Sequence, residues 1–225
     1  MAKKIRRKEL VKGTDEFLSF SARAFNFFNA HRTAFKYAGY AIALIVAVYL
    51  GANTYMRYVN RNGQEAYNLA YDTLNKNMKP DAAPEELKKS EELFDKVIHE
   101  YGRSKAARLA LPQVAYLKFA DKKYDEAIDL YMKFSKKLSG EGSFRSLTHL
   151  ALAACYEAKG DLKKAIEFLN SILDRPEDPF RETAMYSLAR LYRLDGQPDK
   201  AEEILKKFVE EYKTSPFVAR AKARL

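Results

Sequence analysis

The 225-residue chain has no tryptophan, one cysteine, three histidines, nine glycines and seven prolines. One cysteine, Cys155, can form no disulfide within a single chain and no cysteine-based metal cluster. It also leaves no cysteine near the start for a lipoprotein anchor. His31, His99 and His149 are far apart, and none has a partner at metal-ligand spacing, so solvated or helix-face roles are expected. The chain has no G-x-S-x-G, no glycine-rich phosphate loop and no H-E-x-x-H. The carboxylate pairs Glu91-Glu92, Glu202-Glu203 and Glu210-Glu211 are adjacent in sequence and read as solvated helix faces. Cys155, between Ala154 and Tyr156, reads as a small packed side chain. These absences predict a protein that is not an enzyme, needs no cofactor or metal, and has no small-molecule substrate. Few glycines and prolines beside abundant Ala, Leu, Lys and Glu predict helices.

The net charge of +10 is unevenly spread. Residues 1–36 hold nine basic side chains (Lys3, Lys4, Arg6, Arg7, Lys8, Lys12, Arg23, Arg32, Lys36) against Glu9, Asp15 and Glu16. The excess lies beside an apolar segment, which suits a membrane surface better than nucleic acid.

That segment, Tyr37 to Met56, is 20 consecutive uncharged residues bracketed by Lys36 and Arg57. At ~1.5 Å per residue it spans about 30 Å, the thickness of a bilayer core. Tyr37 and Tyr40 near one end, and Tyr49, Tyr55 and Tyr58 near the other, suit interfacial belts. The rival readings are a buried helix of a soluble domain and a cleaved signal peptide. A long charged stretch before the run and a poor cleavage site at Leu50-Gly51-Ala52 disfavour the second. An uncleaved signal-anchor is therefore expected. Residues 1–36 would stay in the cytoplasm and 57–225 would be exported, to the periplasm in a bacterium. Gly39, Ala43, Ala47 and Gly51 repeat small residues every four positions, a face on which another membrane helix could pack. Ahead of the anchor, Thr14 could cap a helix carrying Asp15 and Glu16 in its first turn. Phe17, Phe20, Ala24, Phe27 and Phe28 fall on one side of it, and Ser19, Arg23 and Asn26 on the other. It suits an amphipathic helix on the inner membrane surface or, equally, a docking helix for a cytosolic protein.

Beyond the anchor the chain repeats itself. Leu152-Ala153-x-x-Tyr156-x-x-x-Gly160-x-x-x-x-Ala165 recurs 36 residues later as Leu188-Ala189-x-x-Tyr192-x-x-x-Gly196-x-x-x-x-Ala201. A weaker copy precedes them: Val114-Ala115, then Tyr124, Ala127 and Tyr131. Each unit is expected to be two helices. Small residues of helix A (Ala115, Ala153, Ala189) and helix B (Ala127, Ala165, Ala201) let the backbones approach, and Gly160 and Gly196 make the turn where φ is positive. One pair cannot bury its apolar face alone, so units stack. An irregular unit is expected earlier, with Asn68-Leu69-Ala70 in its helix A, an enlarged loop over Lys79–Glu86, and Leu87, Ser90, Phe94 and Val97 in its helix B. Tyr101–Ser104 and Tyr212–Ser215 read as similar turns closing a unit, and a short Ala-rich helix after the second would cap the stack.

These residues resemble the tetratricopeptide repeat, over roughly residues 104–215. The expected architecture is all-α: a transmembrane helix followed by a tetratricopeptide-like solenoid. The parts are a basic cytoplasmic tail with an amphipathic helix (1–36), the anchor (37–56) and the repeat domain (57–225). Mapping the repeat onto the chain puts Tyr116, Phe119, Ala154, Glu157, Tyr186, Arg190 and Arg193 on the inner face. They would either line a partner groove with a basic end or, for the aromatic members, pack between helices.

The layout also resembles the bacterial ancillary subunit of the Sec translocon: a basic tail, a signal-anchor, Asn68-Leu69-Ala70-Tyr71, and degenerate repeats with an Ala-rich helix at Ala106–Ala120. That resemblance implies no catalytic residues. Its implied partners are the translocation channel and a periplasmic chaperone or client chain, with newly exported proteins assisted at the inner membrane. An envelope scaffold organising cell-division, pilus or secretion machinery would look nearly the same.

Overall fold

The computed structural model describes residues 20, 22–77, 84–138 and 142–225. The expected cap at Thr14 with Asp15, Glu16, Phe17 and Ser19, and the basic run at 3–8, lie outside them. All regular elements among the described residues are helices. The chain divides into two compact units, Met1–Tyr55 and Met56–Leu225. The boundary falls within helix α1 (Arg32–Asn77).

In the first unit, residues 22–30 are helical, a turn stands at His31, and α1 follows. The apolar part of α1 is long and apolar enough to cross a membrane, and none of it is buried. Tyr37, Tyr40, Ile42, Leu44, Ile45 and Val48 are each more than half exposed. No described residue of this chain covers those side chains, as the packing of a core helix within it would require. A methyl group added at Gly39 or Gly51 would meet nothing within 4 Å.

In the second unit, the C-terminal part of α1 and helix α2 (Pro84–Glu100) form an irregular first pair. α2 begins at Pro84 and so takes in the last three residues of the expected loop, because proline suits the first helical position, where no amide donor is needed. Val59, Gly63, Ala70 and Leu74 recur four and seven residues apart, are buried, and make one face of α1. Ala70 and Leu74 pack on Phe94 and Val97 of α2 and on Ala106, Ala110, Val114 and Leu117 of α3 (Lys105–Ala120). The regular pairs follow: α3 with α4 (Tyr124–Lys136), α5 (Gly142–Ala158) with α6 (Leu162–Leu173), and α7 (Arg181–Leu194) with α8 (Pro198–Glu211). The short α9 (Val218–Lys222) closes the stack through Ala221, Phe217 and Val218 on Met185, Leu205 and Phe208.

The six small residues expected at the helix crossings, Ala115, Ala153, Ala189, Ala127, Ala165 and Ala201, are all buried. The turns between A and B helices share one hydrogen-bond pattern. The amide of Asp161 donates to Tyr156 O (2.9 Å) and that of Gly160 to Glu157 O (2.8 Å). Gln197 donates to Tyr192 O (2.8 Å) and Gly196 to Arg193 O (3.2 Å). This pair of bonds needs a left-handed residue, and Gly160 (φ 82°) and Gly196 (φ 72°) supply it. In the first regular pair Lys122 takes the same place at φ 62°, with Lys123 donating to Lys118 O and Lys122 to Phe119 O. The weaker copy thus keeps the turn geometry without its glycine.

The two closing turns also match. Ser104 donates its amide to Tyr101 O (2.7 Å), and Ser215 to Tyr212 O (2.9 Å). Ser104 Oγ accepts from the Ala107 amide (2.9 Å), capping α3, while Ser215 Oγ accepts from the Phe217 amide (3.1 Å). The Lys105 amide is satisfied from a distant helix, by Asn60 Oδ1 of α1 at 2.9 Å.

Candidate functional site

The residues expected on the inner face come from α3, α5 and α7, the A helices of the regular pairs. They do not behave alike. Tyr116 on α3 is 45% exposed. Phe119, one turn on, is partly buried against Ala115, Ala127, Ile128 and Tyr131, its ring 5.5 Å from Tyr124. Ala154 is exposed on α5. Tyr186 stacks on Phe217 at 5.1 Å and lies 5.9 Å from Phe208, so it holds the cap helix as well as facing the surface.

At the expected basic end one arginine is paired with a carboxylate and a further arginine joins the other. Arg190 of α7 reaches across to Glu157 of α5 and donates to both carboxylate oxygens, Nη2 to Oε2 at 2.7 Å. That fork-to-fork contact holds the guanidinium charged and fixes both side chains. Arg193 donates to the main-chain carbonyl of Arg224, whose guanidinium lies 5.8 Å over the Tyr186 ring. Tyr186, Ala189, Arg190, Arg193, Leu205 and Arg224 thus line one shallow recess. Four of the expected residues, Glu157, Tyr186, Arg190 and Arg193, meet around it. Tyr116 and Phe119 are not among its lining. Arg224 had no signal in the repeat pattern, because it lies beyond the last matched unit.

Two polar features departed from expectation. Glu91 is not on a solvated face: it is partly buried, its carboxylate 2.9 Å from Lys118 Nζ, which also lies 2.8 Å from Glu126. The hydrogen bond to Glu126 and then that to Glu91 hold Lys118 charged well above its ordinary range. His149 is partly buried, its Nδ1 2.6 Å from Ser171 Oγ. Ser171 Oγ donates its one hydrogen to Phe168 O (2.6 Å), so His149 Nδ1 carries a proton and donates to the serine. The hydroxyl therefore points away from any general base, and the pair locks α5 to α6 rather than activating a nucleophile. Cys155 is fully buried, and burial pushes its thiol up to about 11, which leaves it inert as a nucleophile at neutral pH. Among the described residues no three His, Cys, Asp or Glu stand together as a metal site.

What the arrangement offers is surface: stacked A helices, an exposed tyrosine, and a recess of paired and stacked guanidinium groups. Comparison with known proteins bears on the fold. Residues 148–177 and 183–215 match the tetratricopeptide repeat. No curated protein matches the chain. Among solved structures, TPR-like repeats from Podosopora anserina superpose with a TM-score of 0.57 at 22% identity, over 72% of this chain and 82% of that one. A tetratricopeptide repeat protein from Parabacteroides merdae gives 0.58 at 19% identity, over 73% of this chain and 59% of that one. At such identities the likeness is one of fold. The fold is a solenoid of tetratricopeptide type, helical in every regular element among the described residues.

Proposed function

We propose that the chain is a single-span protein of the bacterial inner membrane, with its N-terminus in the cytoplasm and its repeats in the periplasm. There it holds partners of the Sec translocon: the translocation channel, a periplasmic chaperone, or a newly exported client chain. The observation that carries the membrane half is the uncovered run of α1, apolar over a bilayer's thickness and preceded by the basic stretch. The partner half rests on the repeat fold and on the resemblance of the layout to the translocon's ancillary subunit. In this reading Gly39, Ala43, Ala47 and Gly51 face a partner's membrane helix. Tyr116, Phe119, Glu157, Tyr186, Arg190 and Arg193 form the partner groove, with Tyr116 its exposed anchor and the Glu157–Arg190 pair holding its far end.

Photo-crosslinkers placed at Gly39, Ala43 and Tyr116 in cells test this. Adducts with channel subunits from the first two, and with chaperone or client from the third, support it. Adducts with cell-division, pilus or secretion components instead would assign the scaffold to another envelope complex. A reporter fused after Leu225 that works only in the cytoplasm would overturn the orientation.

A further inference from the structure

The helical stretch before the apolar run has a surface that nothing among the described residues covers. Phe25, Phe27 and Phe28 are 66%, 59% and 53% exposed, and Phe35 is 40% exposed. The helix is continuous in its hydrogen bonding through the turn at His31: His31 N donates to Phe27 O and Phe35 N to His31 O, both at 3.0 Å. Helical spacing therefore holds across the whole stretch. It puts Phe27, His31, Phe28 and Phe35 on one side, and Asn26, Asn29 and Thr33 on the other. The rings touch: Phe28 stacks on Phe35 at 4.5 Å, and Phe27 lies 4.5 Å from His31. Arg23 and Arg32 fall on the borders between the two sides, Lys36 lies beside Asn29 on the polar side, and residues 22–36 contain no acid.

We infer that residues 22–36 are an interfacial segment that binds an anionic lipid surface. Its rings would enter the boundary between headgroups and acyl chains, residues 22–30 folding onto the surface at the turn of His31, with Arg23, Arg32 and Lys36 on the phosphates. Three observations favour lipid over a protein partner. The aromatic side runs directly into the uncharged run that begins at Tyr37, within one compact unit. Arg23 and Arg32 sit at the borders, where long basic side chains reach headgroups while their stems stay on the apolar side. And the segment's charge is of one sign, which an anionic leaflet neutralises. The segment would thus fix the depth of the anchor and tie the protein to leaflets rich in acidic lipid. This inference rests on the membrane reading of the apolar run.

The absence of tryptophan makes a clean test. The full chain is prepared as two single-tryptophan variants, Phe28→Trp and Val46→Trp, in nanodiscs of phosphatidylcholine alone or mixed with phosphatidylglycerol. The first carries an interfacial probe and the second an anchor probe. Emission and quenching by lipids brominated at shallow or deep acyl positions are read. The anchor probe is expected to be blue-shifted and quenched by deep bromines in both lipids. The interfacial probe is expected to be blue-shifted and quenched by shallow bromines, more strongly with phosphatidylglycerol present. In the Arg23→Gln, Arg32→Gln, Lys36→Gln background, the ratio of its quenching in the two lipids should fall toward one while the anchor probe is unchanged. A water-like interfacial probe in both bilayers, with the anchor probe still buried, would sink this inference and leave the anchor standing; so would equal quenching of the interfacial probe in the two lipids. If that probe is shielded only in native membranes containing other proteins, the segment is a protein-docking helix. A water-like anchor probe would overturn the anchor and this inference together.

Discussion

Lys118 and Glu126 hold, in the first regular repeat, the two positions that Tyr156 and Lys164 hold in the second and Tyr192 and Lys200 in the third. In the later repeats a lysine ammonium lies over a tyrosine ring, at 5.1 Å and 5.5 Å. In the first, the lysine has moved to helix A and faces a carboxylate at 2.8 Å, with Glu91 of the preceding helix completing the group. The same contact between an A and a B helix is made by two different chemistries.

Lys118→Met should therefore cost more than a surface ion pair. It leaves Glu91, 20% exposed, beside Asp95, whose carboxyl is already held above its usual range by burial and then by Glu91. Glu126 is 56% exposed and can find water. The expected loss is about 1–2 kcal/mol, below that of a fully buried pair. The double variant Lys118→Tyr, Glu126→Lys, which restores the later pairing, should recover part of it. Urea unfolding of the two variants and their parent measures both.

Lys122 pays for a backbone conformation that glycine adopts freely. Lys122→Gly should raise stability by about 0.5–1 kcal/mol, because removing the left-handed strain outweighs the extra freedom gained by the unfolded chain. Gly196→Ala should do the reverse by about 1 kcal/mol, although open space surrounds its Cα. Opposite shifts in melting temperature would bear this out. Shifts of the same sign would not.

Gly63 is constrained by space rather than by φ. A methyl group there would stand 2.7 Å from Ser104 Oγ and 3.1 Å from Tyr101 Cβ, in the turn that starts α3. Gly63→Ala should push α1 off that turn, weaken the Asn60–Lys105 cap, and cost about 1–3 kcal/mol. Amide exchange at Lys105 and Ala107 should accelerate with it. Unchanged protection would mean that α1 shifts without cost.

Burial holds His149 below the usual imidazole range, with the charges of Arg145 and Arg175 adding to it and Asp178 opposing. Above pH ~6.5 the residue is neutral whether folded or unfolded and contributes nothing. As pH falls below that, the unfolded chain takes the proton first, so stability drops until the folded state is protonated too. His149→Gln should lose less stability than the parent between neutral and mildly acidic pH. Parallel curves would show that the proton is taken up elsewhere.

Much of the fold was legible in the residues themselves. Small residues at Ala153 and Ala165, repeated at Ala189 and Ala201, mark where two helices must cross closely, and glycine at 160 and 196 marks the turn between them. These are local demands on backbone shape, so spacing along the chain reveals them. The uncharged run of 37–56 was legible for the same reason: length and absence of charge are properties of the string.

The partners of individual side chains were not legible. Lys122 shows that a turn can keep its geometry when its marker residue is gone, because neighbouring helices hold it. Lys118 reads as a break in the pattern until α2 brings Glu91 beside it. Arg190 and Arg193 read as a basic groove end, yet one is neutralised by Glu157 from the helix of the preceding repeat and the other is occupied by the carbonyl of Arg224. The sequence determined that the chain is helical, repeated, and uncharged over one bilayer's thickness, since these follow from periodicity and composition. Only the tertiary structure decided which charges are paired, which glycine is spatially required, and which aromatic rings are left uncovered, since each depends on which helices lie side by side.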